Sequence, residues 1–242
     1  MHIAILMTNT DETAFAQRHA KDGEKFAALF HRARPDWTFD VYSVKDDVFP
    51  TTFEGVDGVV ITGSPASARD DAGWIPKLET LIRALHNVRM PMFGACFGHQ
   101  VIATALGGKV ELNPEGWVLG AVTTTDIAEG TGMSFYAAHK EQVSQLPKGA
   151  MPVAKSPNCA TAGFSIGDHI LTTQYHPEIT TEFMAALITE LRADLGDKIS
   201  DQAEASLATD VDTDSLAAWA ATFLEEASSR AKTDRPKTPA SE

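Results

Sequence analysis

Short runs of β-branched and apolar residues alternate along this chain with stretches whose apolar positions recur every three to four residues. Strands are predicted over 3–7, 38–43, 59–62 and 91–94, and helices over 15–32, 74–86 and 98–106. That alternation predicts a doubly wound α/β fold, a mostly parallel sheet with helices on both faces. From about 109 to 170 the pattern breaks into shorter pieces such as 118–125 and 152–155, which predicts a small antiparallel flap. A strand over 169–175 closes the core. It leads into a helix whose Met184, Leu187, Ile188, Leu191 and Leu195 form one apolar stripe.

Beyond that helix, residues 197–214 are acidic and poor in apolar side chains, and read as a linker. Residues 212–215 offer an N-cap for a C-terminal helix with Leu216, Trp219, Ala220, Phe223 and Leu224 on one face, suited to a packed lid or a dimer contact. Residues 228–242 carry two prolines and no aliphatic residue larger than alanine, so a disordered tail is expected. The expected division is a core domain over 1–195, a linker and helix over 196–227, and a tail over 228–242.

Composition narrows the function. The 242 residues carry 20 Lys and Arg against 33 Asp and Glu, a net charge of -13, which leaves no basic field for nucleic acid or an anionic membrane. No apolar run approaches the roughly 20 residues that span a bilayer, and the opening strand is too short for a signal segment. There are two cysteines, Cys96 and Cys159, in no paired spacing. Both are expected as free thiols in a reducing cytoplasm.

Cys96 stands in Pro91-Met92-Phe93-Gly94-Ala95-Cys96-Phe97-Gly98-His99-Gln100, a hydrophobic strand running straight into a helix. Glycine two residues to either side of a nucleophilic residue is the pattern of a nucleophile elbow, where side chains at both positions would strike neighbouring backbone. The helix N-terminus then faces the sulfur, favours negative charge there, and offers the Phe97 N–H to an oxyanion. Downstream, Thr173-Gln174-Tyr175-His176-Pro177-Glu178 ends a strand with an imidazole and a carboxylate two residues apart, on one face of extended chain. His176 is placed to take the thiol proton and Glu178 to orient the ring. Upstream, Gly58-Val59-Val60-Ile61-Thr62-Gly63-Ser64-Pro65 is a buried strand breaking into a glycine turn at the same sheet edge, so Gly63 is the candidate second oxyanion donor.

These three pieces, in this order, resemble the class I glutamine amidotransferases, with their G-x-C-x-G-x-Q elbow, glycine oxyanion loop and H-P-E segment. Residues Gly63-Ser64-Pro65-Ala66-Ser67, Trp74, Cys96 to Gln100, Ala105-Leu106-Gly107-Gly108-Lys109 and Asn113-Pro114-x-Gly116-Trp117 look most like the branch that includes the glutaminase part of GMP synthase. The likeness covers about 1–190. It implies a flavodoxin-like sheet, a Cys96, His176 and Glu178 triad, and a substrate pocket lined by Ser64 and Gln100. It implies no metal and no organic cofactor. His139 stands where the family has H-x-D, but here Glu141 replaces the aspartate, and a structural or surface role is the alternative for His139. His99 reads as a helix residue of the elbow, not a second base.

No phosphate-binding loop accompanies these motifs, so an ammonia-consuming synthetase would be a separate chain. Three readings stay open: a glutaminase subunit feeding such a synthetase, a free-standing hydrolase of γ-glutamyl amides or peptides, and a catalytically quiet binding protein. Homo-oligomerisation is also open.

Overall fold

Period-two alternation along the first strand sets the layers. In β1 (His2–Met7), Ile3 and Ile5 face one side of the sheet, while Ala4 and Leu6 face the other. The computed structural model describes residues 1–233. After β1 come α1 (Asp22–Ala33), β2 (Thr38–Ser43), β3 (Gly58–Ile61), α2 (Trp74–Asn87), β4 (Met92–Ala95) and α3 (Phe97–Ala105). Then follow the strands β5 (Lys109–Leu112), β6 (Val118–Asp126), β7 (Gly132–His139), β8 (Glu141–Gln145), β9 (Ala150–Ser156), β10 (Cys159–Ile166) and β11 (Ile170–Thr173). Helices α4 (Thr181–Leu195), α5 (Asp197–Ser206) and α6 (Thr213–Thr233) end the described chain.

Nine strands form one sheet in the order β2-β1-β3-β4-β11-β10-β9-β6-β7. The first five are parallel, and from β10 onward neighbours run antiparallel. The antiparallel region is therefore a direct extension of the main sheet, with only β5 and β8 paired apart from it. Helices α2 and α3 bury Ile75, Leu78, Ile82, Val101 and Ile102 on one face. Helices α1 and α6 bury Phe26, Leu29, Phe30, Ala220 and Leu224 on the other. Two-sided cover is what a parallel sheet requires, since its strands are apolar on both faces.

Three elements differ from the sequence reading. The first helix begins at Asp22, not near residue 15, with a single 3-10 turn at Ala16–Arg18 before it. Lys21 is extended and its N–H donates to the Glu24 carboxylate at 2.9 Å, a cap that fixes the start. The expected linker is in fact helix α5. Its acidic side chains converge on Arg192 of α4, with Asp197 at 3.0 Å, Asp201 at 2.8 Å and Glu204 at 3.0 Å. Its Ala203 and Ser206 press on β6 at Gly120, where an added Cβ would meet Ser206 Oγ at 2.3 Å.

The third difference is α6, which continues to Thr233 through residues expected in the tail; 234–242, the rest of that tail, lie outside the described residues. Its buried stripe is Leu216, Ala217, Ala220, Ala221, Leu224 and Ala227, and Trp219 stands 41% exposed. Small side chains let the helix lie close to the sheet, so the stripe turned to the alanines and away from the indole. Arg34, at the C-cap of α1, grips Glu225 with two bonds, at 2.7 and 2.9 Å. No helix among the described residues is long and apolar enough to cross a membrane.

If α6 belongs to the core, Leu224→Ala should lower unfolding stability by about 2–5 kcal/mol, the usual loss for a fully buried leucine. Trp219→Ala should lower it by clearly less. Equal, small effects in urea titrations would show that α6 is a detachable appendage.

Candidate active site

Strands β3, β4 and β11 are neighbours in the sheet, and their carboxyl ends deliver Gly63, Cys96 and His176 to one point. A Cβ placed on Gly63 would lie 2.9 Å from His176 Cε1 and 3.6 Å from Cys96 Cβ. Each of the three arrives by a separate local constraint.

Cys96 joins β4 to α3 with φ 50 and ψ -104, a conformation that L side chains rarely adopt and that costs on the order of 1–3 kcal/mol. Its N–H donates to Thr173 O at 2.9 Å, its carbonyl accepts from Gln100 N at 3.1 Å, and Gly98 N donates to Thr62 O at 3.1 Å. The flanking glycines are sterically required. A Cβ on Gly98 would meet Ile61 O at 2.3 Å, and one on Gly94 would meet Ile102 Cδ1 at 2.7 Å.

Gly63 is set by its neighbours' carbonyl bonds. Thr62 O accepts from Gly98 N and from Thr8 Oγ1 at 2.9 Å, and Gly63 O accepts from Thr8 Oγ1 at 3.0 Å. In a trans peptide the N–H points opposite the C=O, so the Gly63 N–H is turned away from Thr8 and Gly98.

His176 follows β11, and its backbone N–H donates to Tyr136 O of β7 at 2.9 Å. Its Nδ1 lies 2.7 Å from Glu178 Oε1, so Nδ1–H donates to the carboxylate and Nε2 is left for the thiol side. Nε2 makes no hydrogen bond of normal geometry, yet the sulfur is close enough to act on its charge. Burial by itself lowers the His176 pKa, but the Glu178 carboxylate and the Cys96 sulfur outweigh it and raise it well above 6.5.

The other two histidines nearby are held neutral. His99 is fully buried with Nδ1 2.8 Å from Thr172 Oγ1, and burial lowers it to about 3. His139 donates Nδ1–H to Glu141 O at 3.0 Å, and burial lowers it to about 4. His139 is thus no surface residue; it lines the pocket beside Cys96. The Glu141 carboxylate is buried at the pocket wall and pairs with Ser67 at 2.7 Å and Arg69 at 2.5 Å, so the longer side chain is absorbed there.

A cavity of about 480 Å³ opens on Cys96, walled by Ser64, Arg69, Gln100, Trp117, His139 and Glu141 among others. Ser64 and Gln100 therefore line the pocket that holds the sulfur. Gln100 Nε2 donates to Glu141 O at 2.9 Å and to Gln174 Oε1 at 3.1 Å. Gln174 in turn points Nε2 at Cys96 Sγ, 3.7 Å away, a contact that the sequence reading missed. Its signal was present, because residue 174 shares a strand face with 176. No cluster of metal-ligating side chains occurs among the described residues. The second thiol, Cys159, lies apart in the core, pushed by burial up to about 12.

A family model described as glutamine amidotransferase class-I matches residues 13–191 of this chain. Gamma-glutamyl peptidase 3 of Arabidopsis thaliana is 32% identical over 178 residues, covering 67% of this chain and 71% of that protein. A glutamine-hydrolyzing GMP synthase of Herminiimonas arsenicoxydans is 28% identical over 199 residues, 74% of this chain but 34% of that protein. The crystal structure of a glutamine amido transferase from Methylobacillus flagellatus superposes with a TM-score of 0.70 at 21% identity, covering 100% of this chain and 98% of the other. This last likeness concerns the fold alone.

The raised pKa gives a signed prediction. Folding free energy from the His176 charge is fully present below the unfolded value near 6.5 and is lost as pH rises through the higher folded value. In NMR titrations the His176 ring should remain protonated above 6.5, and Glu178→Gln should bring its midpoint down. An unchanged midpoint in that variant would show that Glu178 does not hold the charge.

Proposed function

Because the chain belongs to the class-I glutamine amidotransferase family, we propose that it is a cysteine hydrolase of γ-glutamyl C–N amides, of which glutamine is the smallest. The observation that carries this reading is the convergence of Gly63, Cys96 and the His176–Glu178 pair at one sheet edge. The relatives agree in chemistry by name: γ-glutamyl peptidases and glutamine-hydrolyzing synthases share an acyl group and differ in what leaves.

The γ-glutamyl group occupies the pocket beside Cys96, where Arg69, Glu141 and the Gln100 amide suit a zwitterionic amino acid head. The Cys96 sulfur, its proton held by His176 Nε2, attacks the γ-carbonyl carbon. A C–S bond forms and the carbonyl electrons move onto oxygen, which the Gly63 and Phe97 N–H groups stabilise. His176 returns its proton to the departing nitrogen as the C–N bond breaks, releasing ammonia or an amine and leaving a glutamyl thioester. Water, deprotonated by His176, then adds to the thioester; the C–S bond breaks and glutamate leaves. Glu178 keeps the ring in the Nδ1–H tautomer and stabilises the imidazolium in both steps.

A glutaminase subunit is the second reading. It is favoured by the likeness to GMP synthase, two thirds of which lies beyond the matched segment. Such a subunit would be slow on glutamine alone and accelerate with its synthetase.

Cys96→Ala should abolish turnover, by about a thousandfold or more, with little change in melting temperature. A glutamine-like diazoketone should label Cys96 and leave Cys159 intact. His176→Ala should be more damaging than Glu178→Gln, because one moves the proton and the other orients it. Full activity in Cys96→Ala, or labelling at Cys159, would overturn the assignment.

A further inference from the structure

A second cavity, about 170 Å³, lies against the other side of the triad, and its walls differ in character from those of the first. Gly63, His176 and Glu178 form one wall. Phe15, Trp117, Ile179, Phe183, Leu187 and Leu191 are large apolar members of the rest, with Asn9, Asp11, Asp22 and Lys25 as polar ones. Residues 183, 187 and 191 repeat at helical spacing on α4, yet all three are only half-buried, whereas Met184 and Ile188 beside them are fully buried in the core. The apolar stripe read from the sequence is thus two adjoining stripes, one packed and one facing this opening.

From this placement we infer that the cavity is the leaving-group subsite, and that it takes an apolar, preferably aromatic, uncharged amine portion. The inference rests on the hydrolase reading above, because His176 hands its proton to the departing nitrogen and whatever is attached to that nitrogen must lie on its far side. The γ-glutamyl half lies in the cavity with Cys96, and Ser64, Pro65, Trp117 and Ala138 line both spaces. One amide laid across that ridge puts its acyl part in one and its amine part in the other.

Size and charge choose the occupant. Cavities of roughly 150 Å³ with apolar walls accept a benzene ring. Among the residues lining the space, the charged groups are Asp11, Asp22, Lys25, Glu178 and the His176 imidazolium. Lys25 is the single lysine or arginine there; it is bound to Asp22 at 2.9 Å and sits 3.7 Å above the Phe183 ring. Asp22 also accepts from Asn9 Nδ2 at 2.7 Å. With the one cation neutralised and Asp11 in addition, a carboxylate on the leaving amine would be repelled. That argues for a γ-glutamyl arylalkylamide over a γ-glutamyl peptide, whose released amine carries a carboxylate.

The test compares kcat/KM on glutamine, γ-glutamylphenethylamide and γ-glutamylphenylalanine, the last two sharing a ring and differing by one carboxylate. The phenethylamide should exceed glutamine by at least about tenfold and the phenylalanine compound by about fivefold. Phe183→Ala should reduce the preference over glutamine severalfold. Leu191→Arg, at a half-exposed position outside the packed stripe, should bring the phenylalanine compound level with or above the phenethylamide. A separate measurement, binding of free phenethylamine by ligand-observed NMR to wild-type and Leu191→Arg protein, reads the cavity without turnover. Glutamine hydrolysis with no preference for the phenethylamide and no phenethylamine binding would overturn the subsite while the hydrolase reading stands. Phenethylamine binding that Leu191→Arg weakens, in a protein inert to all three compounds, would keep the subsite and overturn the hydrolase reading.

Discussion

Gly98 touches the backbone of the neighbouring strand so closely that no side chain fits between its Cα and Ile61 O. That contact seats the start of α3 against the end of β3, and much of the site is built from it. With α3 seated there, the chain leaving β4 has one residue in which to reverse direction, and Cys96 takes that turn in a conformation usually left to glycine. The same contact lets the Gly98 N–H grip Thr62 O, which in turn orients the next peptide and the Gly63 N–H. Cys96 and Gly63 are therefore coupled through one bond between two elements. Strain at Cys96 is maintained by its hydrogen bond to β11, by one from its own helix, and by the bond from Gly98 to Thr62 just beyond β3, a distributed hold that a single loop could not supply.

Three buried histidines within this region show how burial and charge compete. His99 and His139 have only neutral partners, so the low-polarity surroundings win and both stay uncharged. His176 has a carboxylate at 2.7 Å and a sulfur beside it, and there the attraction wins. A buried imidazole thus holds charge where a partner of opposite sign accompanies it, which separates His176 from the other two.

The antiparallel half of the sheet and the C-terminal helices complete the site from outside the α/β core. Strand β7 fixes the His176 backbone through Tyr136 O and brings His139 and Ala138 to the pocket walls. Helix α4 closes the opposite side with a half-buried stripe, and α5 secures α4 through the three carboxylates on Arg192. The cavity beside Cys96 and the more apolar one beside His176 share Ser64, Pro65, Trp117 and Ala138, and differ in what the antiparallel strands add to the first and α4 to the second.

The alternation of β-branched runs with helical periods was enough to place the parallel strands and most helices, because burial on two faces leaves a strong local imprint. The elbow glycines, the His176 and Glu178 spacing and the glycine turn at Gly63 were legible for a similar reason: each answers a steric or geometric demand met within a few residues. What the sequence left undecided depends on contacts across long separations. The helical state of 197–206 rests on Arg192 and Gly120, the facing of α6 on how near its alanines let it approach the sheet, and the aim of Gln174 on Cys96 itself. Nor could periodicity separate Met184 and Ile188 in the core from Phe183, Leu187 and Leu191 over an open cavity, since neighbouring helical stripes differ by about 100° of rotation and only the packed neighbours decide which is covered.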